Sequence, residues 1–215
     1  MASWQPYRAL YIHVPFCKSR CRYCDFSTRA VACDDPCLDA YTDALIQEIR
    51  NYSRKDLLGN IETVYLGGGT PSYLGNKRLS SILYALSVSM HLTPEVECTL
   101  EANPDSLTAA MVRDVYALGV TRISLGVQSF DDTVLKTLGR IHTCEKALQA
   151  IQCAQERFSN ISIDLMCGLP GQTLESFRHD LECALSLGIK HISIYPLTIE
   201  EGTVFDQLVS DGTLH

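Results

Sequence analysis

Strand-like and helix-like segments alternate along almost the whole of this 215-residue chain, and this order limits the folds that it can adopt. Short runs rich in branched and aromatic residues are each followed by a stretch in which apolar residues recur at helical spacing. Such alternation predicts parallel strands that are joined by right-handed helical crossovers. The predicted strands span residues 9–14, 62–66, 96–102, 122–127, 162–166 and 191–195, and the predicted helices span residues 35–53, 77–90, 108–118, 144–158 and 174–187.

Two architectures fit six parallel strands, an open doubly wound sheet and a complete or partial (β/α) barrel. A nucleotide-binding open sheet concentrates its polar residues at one switch point, whereas the loops of a barrel converge from the carboxyl end of every strand. Because chemically unusual residues follow every predicted strand, we predict a barrel-like sheet of six units. These residues are the cysteines of 17–24, the segment "GGGTPS", Glu101, Gln128, Asp164 and the pair Tyr195-Pro196.

The composition is that of an ordinary globular protein, with 46% hydrophobic and 20% charged residues. The net charge of −7 gives no overall attraction to nucleic acid, so we expect no nucleic-acid partner. No apolar stretch reaches the length that a membrane helix needs, and the first residues, "MASWQPYRAL", lack the apolar core of a leader. We therefore expect a cytoplasmic protein without a membrane span.

Three cysteines, Cys17, Cys21 and Cys24, follow the first predicted strand in the segment "CKSRCRYCDF". In a reducing compartment, clustered cysteines more often bind metal than form disulfides. Three thiolates suit an iron–sulfur cluster in which the protein binds three irons and leaves the fourth open to another ligand. The alternatives are no metal at all and a zinc site completed by one of three residues, His13, Cys33 or Cys37.

The charges around the cysteines differ between two segments. Lys18, Arg20 and Arg22 lie within the first cysteine segment and are expected to favour thiolates there. In contrast, the two aspartates of the second segment, "CDDPC", disfavour thiolates at Cys33 and Cys37, which we interpret as ordinary thiols.

A glycine-rich segment and four polar residues at or beyond strand ends form a second candidate site. The segment "VYLGGGTPSYL" has neither the dinucleotide-binding spacing nor the lysine of a phosphate loop, so it suits a ligand with an amino-acid end. Strand-end carboxylates can accept hydrogen bonds from an ammonium or a ribose hydroxyl, and an arginine can hold a carboxylate through two hydrogen bonds. A tight turn and solvated side chains are the plainer alternatives. The four polar residues are Glu101, Gln128, Arg140 and Asp164.

Six blocks in a fixed order resemble the radical S-adenosylmethionine proteins. They are "LYIHVPFCKSRCRYCDFS", "GGGTPSYL", "EANPDSLT", "GVTRISLGVQSFDD", "LGRIHT" and "IDLMCGLPGQT", and the similarity covers residues 11–203. More narrowly, they are similar to the group of oxygen-independent coproporphyrinogen III oxidase and its heme chaperone relative. The resemblance implies an α/β fold, a partial (β/α)6 TIM-like barrel, with residues 1–215 as one core domain. About residues 1–10 would be a lead-in, and about 203–215, after the sixth strand, would begin a truncated C-terminal segment.

The same resemblance implies two cofactors. One is a [4Fe–4S] cluster held by Cys17, Cys21 and Cys24, and the other is S-adenosylmethionine, chelated at the open iron. It places Tyr11 beside the cluster and Tyr23 near the adenine, and it assigns no catalytic residue. The residues that it assigns to cofactor binding are Tyr11, Tyr23, Gly68, Gly69, Thr70, Glu101, Gln128, Arg140, Asp164 and Pro196.

Phe26 bears on the branch of the group. The oxidase carries a further cysteine at this position, and the segments "CDF", "GVQSFDD" and "LGRIHT" are similar to the heme chaperone branch. That branch implies heme as a further ligand, heme-acceptor proteins as partners and an electron donor such as flavodoxin or ferredoxin. Two alternatives stay open. One is an oxidase that decarboxylates coproporphyrinogen III, and the other is an inactive, truncated radical S-adenosylmethionine fragment.

Overall fold

The computed structural model describes residues 6–55 and 57–214, and the structural statements below refer to these residues. Residues 1–5 of the predicted lead-in and His215 lie outside them. The strands are β1 (Tyr7–Val14), β2 (Phe16–Cys17), β3 (Arg29–Ala30), β4 (Leu58–Gly68), β5 (Leu92–Ala102), β6 (Arg122–Gln128), β7 (Ile161–Cys167) and β8 (His191–Pro196).

The six longer strands form one parallel sheet in the order β1-β4-β5-β6-β7-β8. Each neighbour in the sheet is the next long strand along the chain, which is the connectivity of a (β/α) barrel. The sheet is curled into a half-barrel, so the predicted partial barrel is confirmed. The short strands β2 and β3 pair with each other in a separate parallel ribbon.

All five predicted helices are present, with ends that differ from the prediction by at most three residues. The sequence pattern did not predict a short 3-10 helix after β4 or a short helix after β6. Four helices begin at a threonine, and the hydroxyl of each accepts a hydrogen bond from the first turn. The helices are α1 (Cys37–Ser53), α2 (Asn76–Ser89), α3 (Ala109–Ala117), α4 (Asp132–Thr137), α5 (Cys144–Gln155), α6 (Leu174–Ser186) and α7 (Val204–Ser210), with the 3-10 helix at Pro71–Leu74.

The two faces of the sheet differ in polarity. On the outer face, residues such as Leu100 and Ile163 are fully buried in the main hydrophobic core. On the inner face, the alternate positions carry Glu101, Ser124 and Asp164. Parallel strands that are covered on both faces usually consist of apolar residues throughout, so this alternation indicates an inner face that is built to hold a polar ligand.

A second, smaller hydrophobic cluster lies at the carboxyl end of the sheet. Its residues come from α4 and its C-cap, from β7 and the loop after it, and from α7. In that order they are Val134, Leu138, Met166, Leu169 and Phe205. It thereby anchors α7 against the end of the sheet where the polar residues converge. In the described part of the chain, no helix combines the length and the apolar character needed to cross a membrane.

Candidate functional site

A cavity of about 510 Å³ opens at the carboxyl ends of the strands. Its wall combines the cysteine loop, the glycine-rich loop and the inner-face residues of five strands. Of the predicted site residues, Tyr11 alone is outside this wall. The others all line it, namely Cys17, Cys21, Tyr23, Cys24, Gly68, Gly69, Thr70, Glu101, Gln128, Arg140, Asp164 and Pro196.

The cysteine loop is closed at its base by the β2–β3 ribbon. Cys17 pairs with Ala30 in that ribbon, and the amide of Val31 donates to the carbonyl of Cys17 at 3.1 Å. Between these ends, the amide of Cys24 donates to the carbonyl of Cys21 at 3.2 Å, which forms a tight turn. The three cysteines are half-buried free thiols on the cavity side of this loop.

Two contacts with distant elements fix the middle of the loop. The amide of Arg22 donates to the carbonyl of Leu138 at 3.0 Å, and the carbonyl of Arg22 accepts from the amide of Phe205 at 3.0 Å. The loop is therefore held by the end of α4 on one side and by α7 on the other.

The expected effect of the basic loop residues does not hold at Cys17. Burial raises the pKa of this thiol, and this effect outweighs a hydrogen bond from Thr70 and the charge of Arg140, which lower it. Among the basic loop residues, Arg20 directs its Nε atom to the carbonyl of Cys24, to which it donates at 3.1 Å. Arg140 does reach a thiol, because its Nη1 atom lies 3.6 Å from Cys21 Sγ.

The spacing of the thiols bears on the zinc alternative. Within residues 6–55 and 57–214, no three His, Cys, Asp or Glu side chains are close enough to hold one metal ion. Thiolates around a single tetrahedral ion must all approach it to about 2.3 Å. In an iron–sulfur cluster each thiolate binds a different iron, so the sulfurs lie further apart. Three free thiols beside an open cavity are the donor set of a cluster that leaves one iron open to a ligand.

The glycine-rich loop passes very close to the cysteine loop. The amide of Thr70 donates to the carbonyl of Phe16 at 2.8 Å, and the Thr70 hydroxyl lies 3.5 Å from Cys17 Sγ. A Cβ atom at Gly69 would lie 2.7 Å from the carbonyl oxygen of Phe16 and 3.0 Å from Cys17 Sγ. Only glycine permits this approach, because any side chain would collide with the backbone of the cysteine loop.

Two half-buried carboxyl groups face the cavity from β5 and β7. Glu101 accepts hydrogen bonds from Tyr65 Oη at 2.6 Å and from the amide of Gly68 at 3.0 Å. Burial raises the pKa values of Glu101 and Asp164, although these hydrogen bonds and one from Ser193 to Asp164 oppose that effect. A cationic ligand with hydroxyl groups would offset the cost of burying these carboxyl groups.

Arg140 is fixed by two acceptors. Its Nη2 atom donates to Asn103 Oδ1 at 2.8 Å and to the carbonyl of Gly126 at 2.6 Å. Asn103 in turn donates from Nδ2 to the hydroxyl of Thr70 at 2.9 Å. Asn103 therefore links the arginine to the glycine-rich loop, and sequence reasoning missed this role. Its place two residues beyond Glu101 at the end of β5 was the available signal.

Gln128 enters the cavity from a distorted part of β6. Its φ is +70°, the only positive φ of a non-glycine residue in the described part of the chain. The side-chain oxygen accepts a hydrogen bond from Tyr195 Oη at 2.5 Å. The amide nitrogen lies over Gly126, where a Cβ atom would be only 3.1 Å away. This orientation leaves Nε2 as the group available to donate to a ligand.

Tyr11 and His13 lie next to the cavity. Tyr11 is 61% exposed and stacks on Tyr65, with 6.1 Å between ring centroids. Both ring nitrogens of His13 have partners, the hydroxyl of Tyr11 at 3.0 Å and the carbonyl of Ser27 at 3.0 Å. His13 thus connects β1 to the end of the cysteine loop.

The second cysteine segment lies apart from the cavity. Cys33 is exposed, and Cys37 starts α1 with its amide donating to Asp35 Oδ1 at 2.9 Å. The same aspartate raises the pKa of the Cys37 thiol through a hydrogen bond. The expectation that the aspartates disfavour thiolates is therefore confirmed at Cys37.

Comparisons with known proteins point to one superfamily and to two named relatives within it. The model of the Radical SAM superfamily matches residues 11–184. "Heme chaperone HemW" of Bacillus subtilis (strain 168) is 39% identical over 210 residues, which are 97% of this chain and 55% of that protein. "Radical S-adenosyl methionine domain-containing protein 1, mitochondrial" of Bos taurus is 38% identical over 207 residues, 96% of this chain and 46% of that protein. The chain therefore spans about half the length of these curated relatives.

Solved structures show the same similarity at the level of the fold. Coproporphyrinogen III oxidase (HemN) from Escherichia coli, described as a radical SAM enzyme, superposes with a TM-score of 0.83 at 25% identity. The match covers 99% of this chain and 54% of that one. The methyltransferase TsrM from Kitasatospora setae superposes with a TM-score of 0.67 at 14% identity over 95% of this chain and 39% of that one, which reflects the fold alone.

Proposed function

The chain belongs to the radical SAM superfamily, and from this membership we propose that it is a heme chaperone of the HemW type that binds a [4Fe–4S] cluster and S-adenosylmethionine. Cys17, Cys21 and Cys24 would hold the cluster, and its fourth iron would stay open to the methionyl group. When bound and reduced, such a cluster supplies one electron that cleaves the sulfonium of S-adenosylmethionine.

One observation carries the cofactor part of this proposal: the three free thiols and the polar inner face of the half-barrel converge on a single cavity. The three thiols are half-buried at the cavity wall, and Gly69 brings the glycine-rich loop against Cys17. The carboxyl groups of Glu101 and Asp164 suit the ammonium and hydroxyl groups of the proposed ligand. The guanidinium of Arg140 would neutralise charge between the cluster and that ligand.

The heme-chaperone part rests on similarity and on one residue. HemW sequences are among the relatives, at 37–39% identity over more than nine tenths of this chain. Phe26, at the position where the resemblance places a further cysteine in the oxidase, lines the cavity and is 61% exposed. We propose that heme is bound and passed to an acceptor protein, with electrons from a flavodoxin or ferredoxin. A cytoplasmic location fits ten free thiols.

Anaerobic reconstitution with iron and sulfide tests the cofactor assignment. We expect about four iron atoms per chain and binding of S-adenosylmethionine, measured by equilibrium dialysis. Cys21→Ser should lose the iron and the ligand binding together, whereas Cys33→Ser, which changes an exposed thiol outside the cavity, should keep both. A wild-type protein that takes up one zinc ion and no iron would overturn the assignment.

A separate experiment distinguishes the chaperone from the oxidase. The reconstituted protein is titrated with heme and followed by its absorbance, and it is also incubated anaerobically with coproporphyrinogen III, S-adenosylmethionine and a reductant. We expect stoichiometric heme binding and no loss of carboxyl groups from the porphyrinogen. Turnover of coproporphyrinogen would instead support the oxidase, and loss of both properties would support an inactive fragment.

A further inference from the structure

The main chain at the end of β6 is held in an unusual conformation. Gln128 has a φ of +70°, and the amide of Ser129 donates to the carbonyl of Val127 at 3.0 Å. A hydrogen bond across three residues with positive φ at the central one describes a γ-turn, a strained form for a residue with a side chain. The register of β6 against β7 shifts between Gly126 and Gln128 at the same place. Such a turn persists only where surrounding contacts hold it.

Asp180 supplies two of these contacts. It lies on α6, on the outer side of the sheet, and is only 2% exposed. Its Oδ2 atom accepts from the hydroxyl of Ser129 at 2.8 Å, and its Oδ1 atom accepts from the amide of Phe130 at 2.7 Å. The hydroxyl oxygen Oγ of Ser129 also accepts a hydrogen bond from the amide of Asp131 at 3.1 Å. One buried carboxyl group thereby orders three consecutive residues directly after Gln128.

His142 holds the residue before Gln128. Its Nε2 atom donates to the carbonyl of Val127 at 3.2 Å, and its ring is 4% exposed. The backbone is therefore held on both sides of Gln128, whose side chain lines the cavity next to Tyr195. Neither Asp180 nor His142 lines the cavity itself.

We propose that Asp180 is a positioning residue for the ligand site, which acts by holding the γ-turn that aims the Gln128 amide at S-adenosylmethionine. This inference rests on the proposed function, because it assigns that ligand to the cavity. Without Asp180, the hydroxyl of Ser129 and the amide of Phe130 lose buried acceptors, and the strained turn can relax to a negative φ. The Gln128 side chain then leaves its place between Tyr195 and Gly126. The side-chain hydrogen bonds of Asp180 reach Ser129 and Phe130, which are not in the cysteine loop, so the variant should keep its cluster.

The test compares Asp180→Ala, Asp180→Asn and Ser129→Ala with the wild type after anaerobic reconstitution. Glu182→Gln is the matched control, because it alters an exposed carboxyl group on the same helix. We expect Asp180→Ala to bind S-adenosylmethionine about 10-fold or more weakly, with iron content unchanged. The Asp180→Asn variant keeps a side-chain oxygen that can accept from the amide of Phe130, so it should restore part of the affinity. The affinity of Ser129→Ala for S-adenosylmethionine should lie between those of Asp180→Ala and the wild type. The affinity of Glu182→Gln should equal that of the wild type.

Hydrogen exchange gives a second measurement that does not depend on the ligand. In Asp180→Ala, the amides of Ser129 and Phe130 should exchange faster than in the wild type, and Asp180→Asn covers the case in which the alanine variant does not fold. Variants that keep the iron, the wild-type affinity and the wild-type exchange would overturn the positioning role. If the wild-type protein itself binds no S-adenosylmethionine, the proposed function is overturned and this inference with it.

Discussion

At the scale of single residues, buried ionisable side chains outside the cavity help to position the groups that line it. His142 is an example, because its ring is buried beside Arg140 and only one of its nitrogens is satisfied. Its Nε2 atom donates to Val127, whereas Nδ1 has no hydrogen-bond partner among the described residues. Burial and the charge of Arg140 lower the pKa of His142 from 6.5 to about 4. The native protein therefore holds this imidazole in its neutral form.

This depressed pKa predicts a loss of stability in mild acid. Between pH 6.5 and about pH 4, the unfolded chain binds a proton at His142 that the folded chain does not. The contribution of His142 to the free energy of unfolding should therefore be fully present above pH 6.5. It should fall as the pH drops through this window, by on the order of 3 kcal/mol. Denaturant titrations at several pH values measure it.

The matched variants for this measurement are His142→Gln and His91→Gln. His142→Gln should be less stable at neutral pH, where it loses a buried contact, and its stability should fall less steeply toward pH 4. His91 is exposed, so His91→Gln should retain the wild-type pH dependence. Equal slopes for the wild type and His142→Gln would contradict the assignment.

Sequence analysis identified the cavity residues that lie at strand ends. It did not identify the residues that hold other site residues in place. Glu101 and Asp164 could be found because a polar residue at the carboxyl end of a predicted strand is conspicuous among apolar neighbours. Asp180 and His142 could not, because each looks like an ordinary polar residue of a helix or a loop. Their roles depend on which distant carbonyls and amides the fold brings to them, and no local pattern records that.

At the scale of secondary structure elements, long periodic segments were predictable and short ones were not. The six strands and five helices follow from apolar spacing over many residues, whereas α4 has six residues and too few turns to show a period. The two-residue strands β2 and β3 were missed for the same reason, although they close the cysteine loop. In this protein, tertiary contacts rather than local sequence patterns determine where these short elements form.

The short helix α7 offers a prediction about the cysteine loop. Phe205 is fully buried in the second cluster next to Tyr23, and its amide donates to the carbonyl of Arg22. Phe205→Ala should lower the free energy of unfolding by about 3–5 kcal/mol, because it leaves a cavity under the loop. The iron of the reconstituted variant should also be removed faster by a chelator, since one of the two anchors of the loop is loosened.

The adjacent Val204 is 46% exposed and provides the control for this prediction. Val204→Ala should change stability by no more than about 0.5 kcal/mol and should release iron at the wild-type rate. If Phe205→Ala is strongly destabilised but keeps its iron as firmly as the wild type, then α7 stabilises the fold without supporting the loop.

At the scale of the whole molecule, the half-barrel protects its central strand β6 much more than its edge strand β8. The central strand β6 pairs with β5 and β7 and is buried from Ile123 to Gln128. In the described part of the chain, β8 pairs only with β7, and every residue of β8 is at least partly exposed. The sequence predicted that these strands exist and are parallel. It could not predict this gradient of burial, because both strands have similar apolar patterns and differ in what packs on them.

This gradient predicts the order in which backbone amides exchange with solvent in the native protein. Amides in β6 should be among the slowest, because opening them disrupts two strand pairings and the main core, whereas amides in β8 can open by local separation from β7. Native-state hydrogen exchange followed by mass spectrometry measures both strands in one sample. Equal protection of β8 and β6 would contradict the prediction, since it would mean that the sheet opens only as a single unit. The proposed ligand S-adenosylmethionine, if it fills the cavity, would touch Ser193 and Tyr195 of β8 as well as Ser124 and Gln128 of β6, so its addition should slow exchange in β8 more than in β6.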